Sequence, residues 1–281
     1  MPPKFHGVDF SGNHKMWRPG CRRSNVWVAT AELRAGRLHL TALRPVQDLP
    51  GTLHPFDRLA AFLSDDNYCA AAIDAPFALP SRHMPAGGFP VLLGDVARFA
   101  TERRPFAKGG KLVEYGKSIA SLVEKKPLRK TEQVWRDRGV NVRSTLWDRP
   151  RGGAPFTVAN LTLLRRAGRP VWPWTRSGPG LLVESFPAGQ LRQWSLPYKG
   201  YDGPNGRVTR ITILEEVASR IHVPDRLYSR FKESADALDS VLCLFAGIAA
   251  IENIAPIEDS AIAKHEGWIA VHPDRDSSMR W

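Results

Sequence analysis

Apolar positions in this chain fall into short strand-like runs at the start, an irregular middle, and helical periods towards the end. His6-Gly-Val-Asp-Phe-Ser-Gly12 reads as a short strand ending in a turn, with Asp9 near its C-terminal end. Two strand-like runs follow, Asn25–Leu33 and Arg37–Arg44, and Ala35-Gly36 between them suits a tight hairpin connection. His54–Leu63 places Phe56, Leu59, Ala60 and Leu63 on one helical face. Cys69–Ala78 is a buried strand of small residues running into Asp74, and Pro76 stops it. Three strands, a helix and a strand imply a mixed sheet covered by helices, hence an α/β fold.

Ser81–Gly180 breaks this rhythm with frequent Pro, Gly, Arg and Trp. Asp95–Thr101 and Ser118–Glu124 read as helical turns and Phe156–Arg166 as a longer helix. The expectation is a core made of residues 1–80 and 180–281. Residues 81–179 would be a basic insertion, packed on it as a lid or nucleic-acid-binding elaboration. Regular pattern resumes at Gly180–Pro187, a strand whose end presents Glu184. Helices are predicted over Ala188–Trp194, Val208–Ile221 and Asp225–Phe231, with Pro224 separating the last two. Gly267–Val271 closes the chain's core as a short strand or hydrophobic plug.

The longest apolar period, Ser234–Ile251, predicts a buried helix that opens with two carboxylates. Asp236 and Asp239 are three apart and so neighbours on its first turn. Cys243, Ala246 and Ala250 continue the Asp239 face with residues small enough for close approach to a sheet. Asp236 suits a helix N-terminus, where an acid is favoured. Asp239 fits that role less well, because the hydrophobic run starts almost on top of it. A bare buried carboxylate is costly unless it is paired, hydrogen-bonded or on a metal.

Composition narrows the class of protein. At 281 residues the chain can bury a full core, and its 43% hydrophobic and 24% charged content is ordinary for a globular protein. No apolar run is long enough to span a bilayer, and the N-terminus has no apolar signal-peptide core, so no membrane partner is expected. Three widely spaced cysteines form neither a zinc pattern nor a disulfide framework, which fits a cytoplasmic location. The net charge is +12, and its distribution is uneven. Residues 101–180 hold 18 Lys or Arg against 6 Asp or Glu, whereas the rest of the chain is neutral, with 22 of each. Such segregation points to a polyanionic partner, most commonly nucleic acid. Lys108, Lys111, Lys125, Lys126, Arg129 and Lys130 are the candidates for phosphate contacts. Trp135, Trp147, Trp172 and Trp174 either stack bases beside them or fill a minor core.

Three segments share one design, a short apolar strand delivering an acid near its C-terminal end: VD9F, AID74AP and VE184SFP. Open α/β sheets place ligands beyond those ends. Neighbouring strands lie about 4.8 Å apart, so such acids can converge, and converging carboxylates call for a counterion. All-oxygen sets suit Mg²⁺ or Mn²⁺, and two such ions could activate water and stabilise the leaving oxygen of a phosphodiester.

The succession GVDFSG, AAIDAPFALP, VESFPAGQLRQW, ADALDSVLCLFAGIAA and EGWIAV resembles the RNase-H-like nuclease family known as domain of unknown function 429. The D-x-x-D on the last helix is also similar to the resolvase branch of the RNase H superfamily. The resemblance implies an RNase-H-like fold with a carboxylate metal site, and it covers the core but not the basic block. In that reading Asp9 bridges the metals. Glu184 comes from the later strand and Asp239 from the helix, with Asp236 beside it. Asp74 is either a ligand or a neighbour supporting the ligands. Phe186 and Ala188 depart from the pattern, which would place His before the proline and an acid after it.

The expected function is therefore metal-dependent nuclease activity on DNA or RNA, with Asp9, Asp74, Glu184, Asp236 and Asp239 in the site. One alternative is a nucleic-acid-binding protein without turnover. Another is an ATP-binding phosphotransferase of the actin or sugar-kinase type, where Asp9-Phe-Ser-Gly12 could form a phosphate turn, although no second glycine-rich loop accompanies it. The chain is expected to act as a monomer or a homodimer, since cutting a junction would need a two-fold dimer.

Overall fold

In the computed structural model, residues 2–273 are described. Strands β1 (Lys4–Asp9), β2 (Trp27–Arg34) and β3 (Arg37–Pro45) form an antiparallel meander. Ala35 and Gly36 turn it with φ of 47° and 72°, the left-handed pair that a two-residue hairpin of matching twist requires. Helix α1 (Pro55–Ser64) starts with proline at its first position, and the His54 ring accepts the Phe56 N–H. Strand β4 (Ala70–Asp74) then returns parallel to β1, pairing Asp9 with Asp74 in register.

Helices α2 (Gly88–Val96), α3 (Gly109–Ile119), α4 (Lys130–Asp137) and α5 (Ala154–Ala167) follow. Strand β5 (Leu181–Glu184) pairs parallel to β4. Next come α6 (Pro187–Gln193), α7 (Arg207–Ala218), β6 (Ile221–His222), α8 (Asp225–Glu233), α9 (Ala235–Ile251) and α10 (Ser260–Glu266). The mixed sheet runs β5-β4-β1-β2-β3-β6. The strands and most of the later helices stand close to their expected bounds. The expected turns at Asp95–Thr101 and Ser118–Glu124 are not helices of their own: only their first two residues are helical, as the ends of α2 and α3. Helix α7 stops short of Ile221, which pairs with β3 instead. Gly267–Val271 makes one bridge, Ala270 beside Ser185, and otherwise packs as a plug, with Ile269 and Val271 against Trp135.

The sheet has two apolar faces, and each needs a cover. Phe5, Ala70, Ala72, Leu181 and Val183 share one core with α9, whereas Val8, Ala71, Ile73 and Leu182 share another with α1, α2, α3 and α5. Residues 81–179 are therefore more than an appended lid, because α2, α3 and α5 form much of the second layer. On the first face α9 lies almost in contact with β1. A Cβ built on Gly7 would come within 2.0 Å of the Ser240 carbonyl oxygen and 3.1 Å of the Cys243 Cβ. Further along, Gly247 sits over Ala70 and Ala72. Helix α9 thus runs against the direction of β1 and β4, and its N-terminus lands at their C-terminal ends. Among the described residues no single helix is long and apolar enough to cross a membrane, and α9, the most apolar of the long helices, is buried against the sheet.

Candidate functional site

The close seating of α9 decides what meets at the sheet's end. Asp9 and Asp74 lie side by side where β1 and β4 stop, and Ser234 caps α9 by accepting the Ala237 N–H (3.2 Å). Asp236 and Asp239 follow on the first turns. All four acids line one cleft of about 670 Å³, together with Glu184, Arg143, Lys199, Tyr201 and Asp202. Asp9 is only 6% exposed.

Burial, and then mutual repulsion, governs the charge of these groups. Asp9 is pushed well above the usual carboxylate range by burial first, then by Asp239, Asp236 and Asp74. Asp239 is raised by burial and by Asp74, against the relief of a hydrogen bond from the Tyr201 hydroxyl to its Oδ1 (2.9 Å). Burial lifts Asp74 to about 7, although Arg143 pulls it down, and burial lifts Asp236 to about 6. Among the described residues no Lys or Arg forms an ion pair with Asp9, Asp74, Asp236 or Asp239. The segment bearing Tyr201 is held in place by buried Arg210. Its Nη1 donates to the Tyr201 and Gly203 carbonyls (2.5 and 3.1 Å) and its Nε to the Phe231 carbonyl at the end of α8 (3.1 Å).

Glu184 stands apart from these acids, and strand parity is the reason. It pairs with Ile73 and shares the face of Leu182, whereas Asp74 shares the face of Ala72 and Val183. Both of its oxygens are taken. Arg129 donates Nη1 to Oε2 (2.8 Å) and Nη2 to Oε1, and the Phe77 N–H also donates to Oε2 (3.1 Å). Arg129 also donates Nε to Glu132 Oε1 (3.0 Å) and Nη1 to the Glu266 carbonyl (3.1 Å). The Glu266 carboxylate accepts from Ser81 N and Oγ (2.6 and 2.7 Å) and from the Lys130 N–H. This network ties α4, β5, α10 and the turn at Ser81 into one wall. Burial opposes the Arg129 charge, but Glu184 and Glu132 outweigh it and hold the guanidinium protonated. Burial lifts Glu132 to about 7 in spite of Arg129.

The expected phosphate contacts divide. Arg129 is 0% exposed and committed to the network, so it does not present its charge at the surface. Lys108, Lys111, Lys125, Lys126 and Lys130 are exposed, but none lines the acidic cleft. Lys108 pairs with Glu102 (2.8 Å) and Lys111 with Glu114 (3.0 Å), while Lys125 and Lys126 lie over the Trp147 ring (5.5 and 5.1 Å). Trp135 and Trp172 are buried in cores, and Trp174 stacks on Phe89 (3.7 Å), so of the four tryptophans only Trp147 keeps a basic setting at the surface. The exposed cations that line the cleft are Arg143, over the Phe156 ring (4.7 Å), and Lys199, while buried Arg129 borders it with its guanidinium turned into the carboxylate network. Sequence reasoning passed over both, along with Tyr201, since each is a single residue in an irregular stretch.

An α/β sheet with an acidic cleft at its strand ends is the class that fold and site define. A family model described as a protein of unknown function, DUF429, matches residues 7–261, and the chain belongs to that family. No curated protein and no solved structure matches.

The donor set fits a hard divalent cation in charge and atom type, being carboxylates alone, poorly solvated and without an ion-pair partner. It does not form a ready-made cage. Among the described residues no three His, Cys, Asp or Glu side chains are arranged to hold a metal ion, and Glu184, expected as a ligand, is engaged by Arg129.

Proposed function

We propose that this protein is a divalent-metal-dependent nuclease of RNase-H-like fold, hydrolysing phosphodiester bonds of DNA or RNA in the acidic cleft. The observation that carries the reading is the meeting of Asp9, Asp74 and Asp239 in one cleft with no cation paired to them among the described residues. The strand order β5-β4-β1-β2-β3, antiparallel on one side of β1 and parallel on the other, supports the RNase-H-like assignment.

Asp9, Asp74 and Asp239 would hold Mg²⁺ or Mn²⁺, which supplies activation of water and stabilisation of the leaving oxygen. The remaining groups bind and orient. The Tyr201 hydroxyl donates to Oδ1 of Asp239 and orients a carboxylate that would help hold the ion. Asp236 adds negative charge beside it. Arg143 and Lys199 attract the phosphates that flank the scissile bond. Glu184, neutralised by Arg129, shapes the wall and receives no ligand role.

Binding without turnover is the second reading. It is favoured by Phe186 and Ala188, which line the cleft where the nuclease pattern has a histidine and an acid.

Metal binding tests the site directly. Titration of Mn²⁺ followed by electron paramagnetic resonance should give saturable binding to the native protein. Asp9→Asn and Asp239→Asn should each weaken it at least tenfold. Equal binding by native protein and both variants would remove these residues from the site.

A further inference from the structure

The cleft has a graded lining beyond its acids. Asp9 is buried at the floor; Phe156, Phe186 and Tyr198 are half-buried along the walls; Arg143 and Lys199 are exposed at the mouth. Phe186 is steadied by Trp135, edge to face with centroids 6.3 Å apart. Phe156 lies under the Arg143 guanidinium, and Lys199 lies over the Tyr198 ring at 5.1 Å. Asn25, in the same cleft, has a buried Oδ1 with no hydrogen-bond partner among the described residues.

These features suit a nucleotide whose base is free to leave its neighbours. Aromatic faces take up unstacked bases, flanking cations follow the backbone, and an unpaired amide oxygen can accept from a base amino group. A paired and stacked duplex offers the walls only groove edges and a sugar-phosphate surface. The volume, about 670 Å³, is that of a small-molecule pocket, with room for a few unpaired units of a chain. We infer that the cleft takes unpaired strand — single-stranded DNA or RNA, or a strand end opened from a duplex — with bases against Phe156, Phe186 and Tyr198 and phosphates at Arg143 and Lys199. This rests on the nucleic-acid part of the proposed function and assigns Phe186 a role in place of the histidine that the nuclease pattern has there.

The test is fluorescence anisotropy with labelled single-stranded DNA, single-stranded RNA and a duplex of the same sequence, in Mg²⁺, on Asp9→Asn protein. Unpaired strand should bind at least tenfold tighter than duplex. Phe186→Leu and Tyr198→Leu, made separately so that one failing to fold leaves the other, should each weaken strand binding about tenfold, in line with the known size of base stacking, at unchanged circular dichroism. Arg143→Gln should weaken it and lower its salt dependence. Duplex binding as tight as strand binding, or strand binding indifferent to both ring substitutions, would overturn the inference. Parallel cleavage by the native protein separates the two ideas. Preferential cutting of blunt duplex sinks the inference and leaves the nuclease intact. Selective strand binding without any cleavage does the reverse.

Discussion

Carboxylates that share a poorly solvated cleft disfavour one another's charge, and this sets how the metal-free protein should respond to pH. Asp74 is raised by burial from 3.8 to about 7 and Asp236 to about 6. A carboxyl raised on folding binds its proton more tightly in the folded chain than in the unfolded one. Between the unfolded and folded values the native state carries more protons, so stability falls as pH rises. For Asp74 that window is about pH 4 to 7, opposite in sign to the usual salt-bridged acid. Thermal unfolding of native protein and Asp74→Asn in EDTA should therefore diverge across this range, the variant gaining relative to the native chain as pH rises. A constant gap from pH 4 to 8 would mean that Asp74 is not held at raised affinity for its proton. The candidate acids were legible in the sequence because Asp9, Asp74 and Glu184 each end an apolar run and Asp236 and Asp239 open one. Their sharing of a cleft was only partly so. Nothing in VE184S or AID74A states the register between β4 and β5, and that register puts Glu184 with Ile73 while Asp74 faces α9.

Elements here are held by two local devices. One is the near-contact of α9 and β1 at Gly7, where any side chain would collide with backbone. Gly7→Ala should lower stability to urea by about 1–3 kcal/mol, as overpacking does, and displace Asp239 from Asp9. Gly94→Ala is the control: it lies in α2 with nothing within 4 Å of a built Cβ and should be neutral or slightly stabilising. Equal losses for the two would contradict the close seating. The other device is Arg129. Arg129→Met leaves Glu184 and Glu132 buried without their cation and should cost about 3–5 kcal/mol in the same assay, whereas a surface arginine of the basic block would cost little. Strands and the hairpin were readable because their alternation and turn residues agree. Helices α3 and α4 were not. Gly109, Gly110 and Gly116 hide the period of α3, and its true span lies ahead of the expected turn at Ser118–Glu124. Lys125-Lys126-Pro-Leu-Arg129-Lys130 looks like a solvated charge run, yet it leads into α4, and its one buried member neutralises a carboxylate on a distant strand.

At the scale of the molecule, the excess positive charge and the acidic cleft are distinct surfaces. The exposed lysines of residues 101–180 lie outside the cleft, and the basic residues of that block that line it are Arg143 and the buried Arg129. Such an arrangement gives a long-range field for gathering a polyanion, together with a small site where the chain is handled closely. The charge segregation was plain in the sequence. Its division between layer-forming helices and cleft was not, because α3 and α5 carry basic residues (Lys111, Lys117, Arg165 and Arg166) on exposed positions while their inner faces complete the core under β1 and β4. The central claim is that the acids act together on a phosphodiester, and cleavage is its most direct measure. Labelled single-stranded, duplex and branched DNA and RNA would be incubated with native protein in Mg²⁺, Mn²⁺ and EDTA, beside Asp9→Asn and Asp239→Asn. The account expects cleavage in a divalent metal that EDTA abolishes and that each substitution lowers at least a hundredfold. Cleavage that survives both substitutions, or binding with no cleavage under either metal, would contradict it.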